Sequence, residues 1–205
     1  MNFIEFRNRF LSLGCFTTNQ VYASYPDFNR NNLVNWVRKG YLTRLRQGYY
    51  AFPEYKESTD FTLYLANIIY KPSYISLQTA LSFYGIIPET VPDITSVTTL
   101  KTIRFSNDFG EYSYKNIKPD LMFGYNLREM EGGRRIMFAK PEKALADLLY
   151  LYPFYNTERE LEELRLDESY MADDFNIERF MEFSYRIGSK ALNNRIDMLR
   201  KVHNL

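Results

Sequence analysis

An α+β fold is the expectation for this 205-residue sequence, and three features carry it. Apolar residues recur at helical spacing near both ends of the chain, and strand-like segments punctuated by Asn, Asp and Gly turns lie between residues 94 and 139. The polar, proline-broken stretch Pro53-Glu54-Tyr55-Lys56-Glu57-Ser58 separates a basic N-terminal portion from the rest. Two units are therefore expected, residues 1–55 and residues 56–205.

In the first unit, Phe3, Ile4, Phe6, Phe10, Leu11 and Leu13 fall at mostly helical spacing and predict a helix over residues 2–13. Thr17 stands three residues before Gln20, a capping-box pattern that opens a second helix over residues 18–25. Pro26 and Asp27 end it. A third helix follows, with Leu33, Val34, Trp36 and Val37 on one side and Asn31, Asn35 and Arg38 on the other at i, i+4 and i+7. Lys39 and Gly40 fit its end: a cation at the negative pole, then a residue that tolerates a left-handed backbone. Residues 42–45 and 49–52 read as paired strands joined by the turn Arg46-Gln47-Gly48.

Three helices and a hairpin in this order predict a winged helix-turn-helix. Asn31, Asn35 and Arg38 are the candidates for base contact, because asparagine pairs with adenine edges and arginine with guanine edges in the major groove. Arg30, Lys39, Arg44 and Arg46 are the candidates for phosphate. Trp36 is expected in the core. The competing reading is a solvated polar face on a small helical unit, or a winged helix that binds protein instead of DNA. Charge favours DNA. Residues 1–52 carry seven cations against two acids, a net of +5, so the remainder of a chain of net +1 is −4.

The second unit is read as helices over residues 61–70 and 77–84, then strands over 94–100, 102–106, 111–117, 121–125 and 134–139. Turns are expected at Asn107-Asp108-Phe109-Gly110 and Glu131-Gly132-Gly133. Pro141 opens a helix with Ala144, Leu145, Leu148 and Leu149 as its buried stripe, and Lys143 and Asp147 as a surface pair. Thr157 and Glu160 form another capping box, and two further helices carry Ile177, Phe180 and Met181, then Leu192, Ile196 and Leu199. The expectation is an antiparallel sheet flanked by helices, with the C-terminal helices last.

No phosphate-cradling glycine loop, serine elbow or Cys–His pair is present, and an enzyme is not expected. Pro92-Asp93 and Pro119-Asp120 lack a downstream acidic-x-lysine, since Glu54-Tyr55-Lys56 precedes both; Gly188-Ser189 is followed only by the lone Asp197. The single cysteine, Cys15, excludes an internal disulfide and is read as a small buried hydrophobe. No metal and no cofactor are expected. The longest apolar runs are too short to span a membrane, and the N-terminus lacks a continuous apolar signal segment, so a cytoplasmic location with no membrane partner is expected.

Three strings carry a family resemblance: residues 33–50, residues 74–85 (Tyr74-Ile75-Ser76-Leu77-Gln78-Thr79-Ala80-Leu81-Ser82-Phe83-Tyr84-Gly85) and residues 139–147 (Ala139-Lys140-Pro141-Glu142-Lys143-Ala144-Leu145-Ala146-Asp147). In these the sequence resembles the AbiEi family, the antitoxin and transcriptional-regulator half of type IV (abortive-infection) toxin–antitoxin systems. The resemblance implies repression of its own promoter, bound as double-stranded DNA at inverted repeats, and neutralisation of a cognate nucleotidyltransferase toxin. The alternative is a stand-alone winged-helix interaction module without antitoxin activity. Nothing family-specific is found beyond residue 153.

Overall fold

The computed structural model describes residues 1–89 and 91–203, with Glu131 described by its backbone alone. It is mixed α+β: among the described residues, ten α-helices accompany a three-stranded antiparallel sheet and a six-stranded mixed sheet.

Helix α1 (Phe3–Phe10) opens on a capping box, the Glu5 amide donating to the Asn2 side chain at 2.9 Å and the Asn2 amide donating to the Glu5 carboxylate at 3.3 Å. It buries Phe6 and Phe10, while Ile4, read above as part of the apolar face, is exposed. After a 3-10 turn comes a strand that the sequence did not announce, β1 (Cys15–Thr17). Helix α2 (Thr18–Ser24) starts at the expected capping box: the Thr17 amide donates to Gln20 Oε1 at 2.7 Å and the Gln20 amide donates to Thr17 Oγ1 at 3.2 Å. Helix α3 (Asn31–Arg38) and the hairpin β2 (Thr43–Arg46) and β3 (Tyr49–Ala51) complete this part, with β1 pairing on the far side of β3.

Aromatic rings fill the space between them. The Phe6 ring lies 4.7 Å from Phe10, 4.7 Å from Trp36 and 5.2 Å from Phe16, so α1, α3 and β1 converge on one buried side chain. Pairs of this kind contribute about 0.5–1.5 kcal/mol beyond their area burial.

The remainder contains α4 (Thr59–Ile69), β4 (Ser73–Ile75), α5 (Leu77–Phe83), β5 (Asp93–Thr98), β6 (Ile103–Asn107), β7 (Gly110–Asn116), β8 (Tyr125–Met130) and β9 (Arg134–Ala139). Five helices follow: α6 (Pro141–Leu151), α7 (Glu158–Glu162), α8 (Glu168–Asp173), α9 (Ile177–Ile187) and α10 (Lys190–His203). The sheet order is β6-β7-β5-β4-β9-β8, with β5–β7 and β4–β9 parallel. This corrects the expected antiparallel sheet. The β6–β7 hairpin attaches to β5 through its second strand, so β5 and β7 run the same way, and the three-residue β4 enters the middle of the sheet beside β9. The strand expected over residues 121–125 also moves: Leu121 ends a 3-10 turn and the strand runs from Tyr125 to Met130.

The two parts are interlocked. Cys15, Leu45 and Ala51 belong to the large core cluster of the second part, and the Tyr55 and Phe61 rings stack at 4.5 Å across the junction. Asn107 donates from its side-chain nitrogen to the Leu45 carbonyl at 3.2 Å.

Candidate nucleic-acid interface

Helix α3 is pinned from behind and open in front. Leu33 and Trp36 are buried in the aromatic core, and Val37 is half-buried. The Asn31 amide at the helix start donates to Asn29 Oδ1 at 2.9 Å, supplying a side-chain cap that Arg30 does not. At the other end Gly40 takes φ +73°, the left-handed conformation expected of it, and the chain reverses as the Tyr41 amide donates to the Trp36 carbonyl at 2.9 Å. The Phe3 ring then packs against Tyr41 in a tilted pair at 4.8 Å, holding the chain after the turn against α1.

The exposed face carries Asn31, Asn35 and Arg38, brought together as the spacing predicts. Arg38 Nη2 donates to Asn35 Oδ1 at 3.0 Å, so these two polar groups form a unit before any ligand arrives. Val34 differs from the expectation. Its place beside Leu33 and Trp36 predicts burial, yet it is 61% exposed and stands among the polar residues. Positions 31, 34, 35 and 38 follow i, i+3, i+4 and i+7, so the exposed stripe has four members and one is apolar.

The cations divide. Arg30 lies before the first turn of α3 and Lys39 after the last, both exposed, and Arg44 projects from β2 into solvent. No ion pair is formed by Arg30, Arg38, Lys39 or Arg44 among the described residues. Arg46 is placed differently: its guanidinium sits 4.6 Å from the Tyr70 ring centre and 5.3 Å from that of Phe105, and it donates to the Ile69 carbonyl at 3.4 Å. It ties the hairpin to α4 and β6 and is half-buried there, an engagement that competes with the phosphate contact expected of it. A β-bulge between Arg44 and Arg46 accompanies the divergence. The hairpin tip is held as well, since the Thr18 amide donates to the Gly48 carbonyl at 2.9 Å. The hairpin is thus short and braced on two sides.

Elsewhere the most concentrated chemistry is a sealed cluster under α6. Lys143 pairs with Asp147, both side chains 0% exposed, and Lys143 Nζ also donates to Tyr74 Oη at 2.8 Å. Asp147 Oδ2 accepts from Tyr74 and from Ser76, each at 2.8 Å. The expected surface pair is therefore a fully buried one, and its work is to fasten α6 to β4. No group of three or more His, Cys, Asp or Glu residues among the described residues has the arrangement to hold a metal ion. No helix among them is long and apolar enough to cross a membrane.

Comparison with protein-family models finds none that matches the chain, and comparison with curated proteins finds no matching relative.

Proposed function

We propose that this chain is a DNA-binding transcriptional regulator whose first 55 residues act as a winged helix-turn-helix, and that it serves as the antitoxin of a type IV toxin–antitoxin pair. The observation that carries the reading is α3 itself: an exposed stripe of Asn31, Val34, Asn35 and Arg38 on a helix fixed from behind by Leu33 and Trp36. Such a stripe is what a recognition helix presents to the major groove, and Arg30 and Lys39 at the ends of the helix and Arg44 on β2 are exposed and form no ion pair among the described residues. Binding at its own promoter, with inverted repeats as operator, follows from the family resemblance, as does a nucleotidyltransferase toxin as the counteracted partner. Residues 56–205 would supply that second role.

Fluorescence anisotropy of the chain with DNA from immediately upstream of its gene, against a scrambled duplex at two salt concentrations, tests the first part. The expected outcome is preference for the upstream duplex, with affinity falling steeply as salt rises because each neutralised phosphate releases counterions. Equal, salt-insensitive binding to both duplexes removes the reading. A second reading, a protein-interaction module, draws support from one observation: the wing is braced against the second part through Arg46 and has less reach than a free hairpin. Retention of a partner protein without any DNA affinity would select it.

A further inference from the structure

Val34 is an apolar side chain, 61% exposed, in the middle of the polar stripe of α3. Leu33 and Trp36 on the same helix are buried, so the aromatic core has no need of it. Resting on the DNA-binding reading above, we infer that Val34 makes this face a reader of thymine, by packing on the thymine C5-methyl group in the major groove. Thymine is the one DNA base that presents a methyl there, beside the O4 acceptor. Asn35, the adjacent residue, suits that acceptor. Its Oδ1 already accepts from Arg38 at 3.0 Å, and its Nδ2 group offers the donors that such an acceptor needs. A methyl contact and an amide donor side by side match a thymine at or next to the base pair that Asn35 reads. Both the exposed valine and the Arg38–Asn35 bond are then parts of one recognition surface, and Asn35 departs from the adenine contact that its residue type alone suggests.

The probe is a set of duplexes selected by the full chain from a random library, resynthesised with deoxyuridine replacing one thymine at a time. Uracil keeps O4 and loses only the methyl. For at least one thymine per half-site, the wild-type chain is expected to bind the uracil duplex about fourfold more weakly, the worth of one methyl-sized group withdrawn from an apolar contact. Val34→Ala should bind thymine and uracil duplexes alike, at the affinity of wild type for uracil. Val34→Thr, which retains one methyl, should keep part of the difference. Because Val34 contributes little to the core, circular dichroism of all three proteins should coincide. Specific binding with no uracil penalty at any position overturns the inference while leaving the DNA-binding reading intact, and so does a penalty that persists in Val34→Ala. Failure to select any sequence overturns the DNA-binding reading, and this inference with it.

Discussion

At the scale of single residues, Lys143 and Asp147 show what sequence spacing conveys and what it omits. Four residues apart, they share a helix face, and that much follows from periodicity. Which face meets water depends on neighbours: α6 is packed against α5, α9 and α10, and every residue from Glu142 to Leu149 is buried. Burying two charges is costly unless they are paired and hydrogen-bonded, and here Tyr74 and Ser76 supply bonds beyond the pair itself. The same burial, with the Asp147 charge beside it, pushes the Tyr74 hydroxyl well above its usual pKa, so it stays protonated and donating. Asp147→Asn is expected to destabilise the fold by about 3–5 kcal/mol in urea unfolding, since it leaves the Lys143 charge buried and uncompensated. Lys143→Met combined with Asp147→Leu should lose markedly less, because both charges leave together. A double variant as unstable as the single one would mean that packing, and not charge, dominates this site. Val34 teaches the converse lesson: among Leu33, Trp36 and Val37 a valine reads as core by its type, yet its spacing from Asn31 and Arg38 puts it on the exposed stripe, and there it is found.

At the scale of elements, the local rules served where the signal was local. The Thr17 and Thr157 capping boxes, the Gly40 stop and the turn from Asn107 to Gly110 each depend on residues within one turn of chain, and each forms where expected. The strands β1 and β4 were missed because three residues are too few to show an alternation, and both exist only through partners distant in sequence. Strand β8 was displaced for a different reason. It is an edge strand with Asn126, Leu127, Arg128 and Glu129 all exposed, so it lacks a buried face to announce it, whereas Leu121 and Phe123 before it are buried without being a strand. The hairpin makes the functional case. Arg44 and Arg46 have the same strand parity, yet with the bulge between them only Arg46 lies half-buried against the rings of Tyr70 and Phe105. On the proposed DNA-binding reading, Arg44→Ala is therefore expected to weaken binding to all sequences and to lower the salt slope by about one. Arg46→Ala should leave that slope unchanged and cost about 1–2 kcal/mol in unfolding free energy, the worth of a partly desolvated cation over aromatic rings. Equal changes in slope from both variants would return Arg46 to the interface.

At the scale of the whole molecule, the order of helical and strand-like segments made the α+β class legible, and the split of net charge marked the basic head, but the joining of the two parts lay beyond the sequence. That joint forms where β1 and the hairpin pack on α4 and β6, through contacts more than forty residues apart in several cases, such as Asn107 to Leu45. Cys15 lies in this joint, buried within the larger core cluster. Removal from water pushes its thiol up from the ordinary 9.0 to about 12, the nearby Lys71 charge opposing this only in part. The sign of the consequence follows from linkage. Well below pH 9.0 the thiol is protonated whether the chain is folded or unfolded, and the pH has no leverage through it. Above 9.0 the unfolded chain releases the proton and the folded chain keeps it, so stability falls, until about pH 12 is reached. The slope approaches about 1.4 kcal/mol per pH unit for one such group. Buried tyrosines such as Tyr112 and Tyr114, raised from 10.0 by the same burial, add to the fall only at higher pH. Urea unfolding at closely spaced pH values should therefore show stability steady up to about pH 9 and then declining, with the first unit of that decline assignable to Cys15. Cys15→Ala should start from lower stability yet hold it level through that unit, because the group that titrates is gone and the joint has no other thiol. If wild type and variant decline in parallel from the same pH, the thiol is not what the joint excludes from water, and the head and second part meet less tightly there than their shared core implies.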